Sequence, residues 1–191
     1  MGKMAPSIVK GKYKEMRDEK GRRVHYDRDN WINKKVWKKK TKPKLIAKSY
    51  KDGKLTDPYT GEEIKGYKVG EHTVSAKEGH ESQQYPERML SDAEKLRFGH
   101  DIRNLKVVSE KTNREKSYYN ITGWLPKLNQ VNFAKHTETI KIKHGLAMDE
   151  AEASKFKEIT GRETKTRIAP KLRNTFYCTR CHVKHSIGNH N

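Results

Sequence analysis

Positive charge sits at the two ends of this chain and cancels in its middle, and that distribution limits where a core can form. Residues 1–56 hold 19 Lys or Arg against 6 Asp or Glu, residues 57–128 hold 12 of each, and residues 129–191 hold 12 against 6. Only 32% of the 191 residues are hydrophobic, whereas globular domains use roughly 45–50%. The expected organisation is a compact neutral centre with basic, polar extensions, and a large core is not expected. A formal net charge of +19 favours a polyanionic partner, because each cation set against a phosphate releases condensed counterions. No apolar run approaches the ~20 residues that span a bilayer. The opening stretch MGKMAPSIVKGKYKEM carries no apolar segment of the signal-peptide kind. The expectation is an intracellular, cytoplasmic protein without a membrane partner.

Residues 1–23 are dominated by Lys, Arg and Gly and show little periodicity. From Val24 to Trp37, the side chains Tyr26, Trp31, Ile32 and Trp37 interleave with charge, a spacing suited to a short helix packed on a core. The basic run Lys38 to Lys44 follows and ends around Pro43; Lys38, Lys39 and Lys40 are candidate phosphate contacts. Asp57-Pro58-Tyr59-Thr60-Gly61 is a turn signature, and Tyr67 to Val74 has the β-branched and aromatic content of a strand. Ser91 with Glu94 three residues on predicts a capping box, on a helix that also carries Arg97. Leu105 to Val108 reads as a short apolar strand, and Ser109 as the cap of a helix bearing Thr112, Asn113 and Lys116. Residues 129–160 read as one or two helices, the second starting near Asp149 and stopping at Gly161.

Within this strand, strand, helix order stand residues able to hydrolyse a phosphodiester. That reaction needs a base near neutrality for water, a cation at the phosphorane and leaving oxygen, and oxygen ligands to hold the cation if it is Mg²⁺. His72 suits the base, Glu71 and Asn113 suit the cation, and Arg114 and Lys116 on the same helix suit the phosphates. Singly these are weak signals, since Glu-His pairs arise by chance and an Asn near a helix start is commonly a cap. Their assembly is the stronger sign.

Four stretches carry a resemblance: DPYTGEEI at 57–64, EHTVSAKEGHES at 71–82, LSDAEKLRFGHDIRNLKVVS at 90–109 and TNREKSYYNITGWLP at 112–126. Together they resemble the HNH (ββα-metal) endonuclease superfamily. The nearest branch is the one that includes the C-terminal nuclease domain of GmrSD-type restriction enzymes and small secreted bacterial nucleases. The resemblance covers about 70 of the 191 residues. It implies that Glu71 and Asn113 bind Mg²⁺, Mn²⁺ or another divalent cation. It also implies that His72 activates water, that Asn104 orients the histidine through its backbone, and that products carry 5′-phosphate and 3′-hydroxyl ends. Thr73 stands where Ile or Val is common, and Ser75 and Ala76 where Pro or a hydrophobic residue is common. The CxxC zinc pairs that brace many such cores are missing near Tyr59, so packing must hold this one.

The tail sequence Cys178-x2-Cys181-x3-His185-x4-His190 has nearly the spacing of a short structural zinc site, with His182 as a competing ligand. Two free thiols in a basic tail is the alternative.

The expected fold is α+β: a small ββα-metal core at 57–128 behind a basic, DNA-contacting N-terminal arm at 1–56. A helical extension at 129–170 and a zinc-binding tail at 171–191 complete it. The expected function is metal-dependent cutting of DNA, most simply double-stranded, in the manner of a phage or mobile-element homing endonuclease, with oligomeric state unspecified. The alternative is a non-catalytic nucleic-acid-binding protein with a zinc-knuckle tail.

Overall fold

The computed structural model describes residues 25–83 and 89–169, and the backbone of 175–178 and 183–186. At its centre two strands, β1 (Lys68–His72) and β2 (Leu105–Ser109), pair antiparallel, with Lys68 opposite Ser109 and His72 opposite Leu105. Ser109 leaves β2 as the N-cap of helix α5 (Glu110–Lys116), its hydroxyl accepting from Thr112 N–H. The chain is thus α+β, with the strand, strand, helix order read from the sequence.

β2 has no polar face because both sides are covered. Leu105 and Val107 pack with Leu45, Leu55 and Ile64. Val108, one step along the pleat and so pointing the other way, packs with Tyr59, Ile121, Phe133, Met148 and Phe156. A third cluster joins Trp31, Ile32, Val74, Phe98, Ile140 and Leu146. Phe133 and Ile140 come from helix α6 (Gln130–Lys143), and Phe156 from α7 (Glu150–Thr160). The latter starts on an Asp149 cap and stops at Gly161 in the left-handed region. Residues 129–160 therefore complete the core, where a polar extension was expected.

The N-terminal expectation changes in the same way. Helix α1 (Lys34–Val36) runs through a π-helical stretch, Trp37–Thr41, into α2 (Lys42–Ser49). The helix does not end at Pro43. Lys42 N–H reaches back to the Trp37 carbonyl, five residues away, and the wider turn accommodates a proline that can neither donate nor sit comfortably over the preceding turn. Trp31, Ile32, Leu45 and Leu55 are buried, so the second half of the expected arm is part of the fold, while residues 1–24 lie outside the described residues.

Between the strands lie α3 (Ala76–Glu81), a helix that was not foreseen, and α4 (Asp92–Gly99), which carries the capping box of Ser91 and Glu94 in full. In the tail, β3 (Thr175–Cys178) pairs antiparallel with β4 (Val183–Ser186). Of the four candidate zinc ligands, Cys181 and His190, and the side chains of Cys178 and His185, lie outside the described residues.

Asp57 ties the DPYTG turn to the start of α5. Its Oδ1 accepts from Tyr59 N–H at 2.9 Å, and its Oδ2 accepts from Ser109 N–H at 3.0 Å and Thr112 Oγ1 at 2.6 Å. The carboxylate is buried, so its removal strands two amides and a hydroxyl away from water. Asp57→Ala is expected to lower unfolding free energy by about 3 kcal/mol, read from the urea midpoint.

Candidate active site

A cleft of about 630 Å³ opens where the end of β1 meets α5, and Glu71, His72 and Asn113 all line it. Convergence of these three follows from the local fold. Glu71 and His72 are the last residues of β1, and Asn113 sits one turn into the helix that β2 feeds. Neighbours along a strand face opposite sides, so Glu71 and His72 depart from the sheet in different directions and have different partners.

His72 points into aromatic surroundings. It stacks on Trp37 (centroids 5.7 Å, planes 23° apart) and lies parallel to Phe98 (6.4 Å, 4°). Its Nε2 is 2.8 Å from the Gly99 carbonyl. A carbonyl only accepts, so Nε2 carries the proton and Nδ1 keeps the lone pair. Burial pushes this imidazole down to about 4, with the Gly99 bond opposing, so the ring is neutral at pH 7 and Nδ1 is available as a base. Among the described residues Nδ1 has no hydrogen-bond partner. Two glycines make the arrangement possible. A Cβ on Gly70 would lie 2.8 Å from Trp37 Cζ2, and one on Gly99 would lie 1.8 Å from the Trp31 carbonyl oxygen.

Glu71 is only 7% exposed. Its Oε1 accepts from Lys116 Nζ at 2.9 Å. Burial raises the carboxyl and the lysine opposes that shift, so the ammonium favours the charged form inside the protein. Expected at a phosphate, Lys116 is instead 0% exposed. It lies one helical turn beyond Asn113, on the face turned toward β1. Arg114, exposed and paired with Glu110 at 2.5 Å, does line the cleft.

Asn104 is fully buried and outside the cleft, and it acts as a positioning residue. Its backbone oxygen accepts from Thr73 N–H at 2.8 Å. Its side chain accepts from Val74 N–H at 2.8 Å and donates to the Val74 carbonyl at 2.9 Å. These three bonds clamp the chain as it leaves His72. Arg97 lies elsewhere, in a separate pocket with Asp101, Lys143 and His144. Lys38, Lys39 and Lys40 are exposed on the π-helical stretch, and its first residue, Trp37, and Lys42, which follows it, line the cleft.

The donor set suits a small hard cation. Glu71 contributes a carboxylate whose Oε2 has no hydrogen bond among the described residues, and Asn113 contributes an amide oxygen that is likewise unengaged there. Mg²⁺ typically takes one or two such protein oxygens, the rest being water and phosphate. The described residues include no group of three or more His, Cys, Asp or Glu side chains arranged for a metal, so a cation here would depend on the amide and on the substrate.

Several cleft residues were not anticipated: Tyr26, Arg28, Tyr67, Lys77 and Tyr118. The sequence marks Tyr26 only as a packing residue and Tyr67 only as the start of a strand, and Arg28, Lys77 and Tyr118 lack a local pattern. No helix among the described residues is long and apolar enough to cross a membrane. Compared with protein-family models, with curated proteins and with solved structures, the chain matches none.

Proposed function

We propose that this chain is a metal-dependent DNA endonuclease that hydrolyses phosphodiester bonds in the cleft between β1 and α5. The observation that carries the reading is the placement of Glu71, His72 and Asn113 around one cleft, with the histidine in the tautomer that a base requires. Nδ1 of His72 takes a proton from water, and Nε2–H anchored on Gly99 keeps the ring from turning as it becomes charged. Glu71 and Asn113 hold a divalent cation, which when bound offsets the negative charge growing on the phosphate and leaving oxygen. Lys116 fixes the orientation of the Glu71 carboxylate from behind. Arg114 and Arg28 supply cations at the cleft wall for flanking phosphates.

A second reading draws on the buried Lys116–Glu71 pair, which gives Glu71 a structural role without catalysis. Under it the protein binds nucleic acid and cuts nothing.

Incubation of supercoiled plasmid with purified protein separates them. The nuclease reading expects nicked or linear product with Mg²⁺ or Mn²⁺ and none with chelator. A gel shift with plasmid and single-stranded DNA both left intact under every divalent ion tried would leave only the binder.

A further inference from the structure

Two lysine–tyrosine pairs line the same cleft, and proton transfer and cation binding leave both unexplained. Lys42 Nζ lies 4.5 Å from the ring centre of Tyr67 and 3.2 Å from its hydroxyl. Lys77 Nζ lies 3.9 Å from the ring centre of Tyr118. Tyr67 is 68% exposed and Tyr118 36% exposed. Aromatic rings kept at the surface of a cleft, each beside a cation, are poor core material. They suit a ligand with flat faces and negative charge.

Their placement follows from the strand between them. Tyr67 directly precedes β1, and five steps at ~3.3 Å put it roughly 16 Å along the strand from His72. Tyr118 returns to the other end. Ser75, three residues past His72, donates its hydroxyl to the Tyr118 carbonyl at 3.4 Å, and Lys77 Nζ lies over one face of the ring. The turn that brings Tyr118 back is made at Ser117, a non-glycine residue at φ +48° and ψ −133° that also lines the cleft. Surroundings that hold a serine in so sparsely populated a conformation must strongly determine the path of the chain there. The two rings therefore stand beyond opposite ends of the strand that carries Glu71 and His72.

In a fully paired duplex both faces of each base are covered by its neighbours, so an aromatic ring has nothing to stack on. An unpaired base offers a face, and stacking of that kind tolerates any sequence. A cleft of about 630 Å³ is on the scale of small-molecule sites, ~300–1,000 Å³, which suits the nucleotides of one strand better than a double helix. We infer that the preferred substrate is DNA with unpaired nucleotides around the scissile phosphate, as in a single strand, a gap or a flap. One base then stacks on Tyr67 and another on Tyr118, while Lys42 and Lys77 hold the adjoining phosphates. This rests on the nuclease reading and narrows it to a substrate class.

Fluorescence anisotropy with labelled oligonucleotides, in chelator so that nothing is cut, reads binding apart from chemistry. The probes are a single strand, the blunt duplex of the same sequence, and that duplex with an internal gap. Wild-type protein is expected to bind the single strand and the gapped duplex at least about tenfold more tightly than the blunt duplex. Tyr67→Ala and Tyr118→Ala should each weaken single-strand binding by roughly tenfold and leave duplex binding unchanged. Tyr67→Phe and Tyr118→Phe, which keep the rings, should retain affinity and exclude misfolding as the cause. Tyr50, 41% exposed with Lys68 Nζ 5.6 Å from its ring centre but outside the cleft, is the control, and Tyr50→Ala should bind as wild type. Equal affinity for single strand and blunt duplex, or alanine variants that lose both equally, overturns the inference. Equal binding together with metal-dependent cutting of the duplex leaves the nuclease reading intact. Strand-selective binding lost in the alanine variants, with no cutting under Mg²⁺ or Mn²⁺, keeps the platforms and removes the nuclease.

Discussion

His72→Ala is expected to cut DNA roughly 100- to 10,000-fold more slowly than the wild type, the usual contribution of a positioned acid–base group. The loss belongs in the rate at saturating protein, since His72 lends its lone pair to a water and need not grip the DNA. Single-turnover cleavage of a labelled substrate measures it, alongside anisotropy showing that affinity is kept and a melting curve showing that the fold survives. The melting curve matters because the ring also stacks on Trp37 and Phe98. Wild-type cleavage by the variant would place the base elsewhere and end the proposed mechanism.

Lys141→Met is expected to be the most damaging substitution for the fold itself. Lys141 Nζ lies 2.6 Å from Glu152 Oε2 and 3.0 Å from Glu78 Oε1, and all three side chains are buried. They join α3 of the strand–strand insertion to α6 and α7. Without the ammonium, two carboxylates face each other out of water. The expected cost is about 3–5 kcal/mol, a large part of the ~5–15 kcal/mol that holds a domain folded. A companion variant, Glu78→Gln with Lys141→Met and Glu152→Gln, should recover most of it, because the cost lies in uncompensated charge more than in lost contacts. Urea midpoints rank the three proteins, and a single variant as stable as the wild type would refute the account.

What could be read from the residues was local. Serine and aspartate caps at Ser91, Ser109 and Asp149, the stop at Gly161 and the order of β1, β2 and α5 all depend on neighbours a few positions apart. What escaped depends on partners far along the chain. Glu71 meets Lys116 across 45 positions, and nothing near either residue marks the pair. Lys116 was assigned to phosphate because a lysine on an active-site helix ordinarily faces solvent. Helix α3 was hidden for a related reason: its buried face carries Glu78 and His80, so its pattern looks polar until Lys141 supplies a countercharge. The low hydrophobic content misled in the same direction. Buried lysines and glutamates occupy positions where hydropathy expects aliphatic side chains, and the aromatic residues gathered by the three clusters do more than their number suggests.

The core also orders events in time. The wall beneath β2 draws on Phe133, Met148 and Phe156, all C-terminal to every proposed catalytic residue and so made after them. A nascent chain halted at Trp124 already contains Glu71, His72 and Asn113, yet it lacks the helices that close the hydrophobic layer behind them. Synthesis itself then acts as a safety catch: on the proposed function, products truncated before Phe133 lack this layer and should not cut DNA.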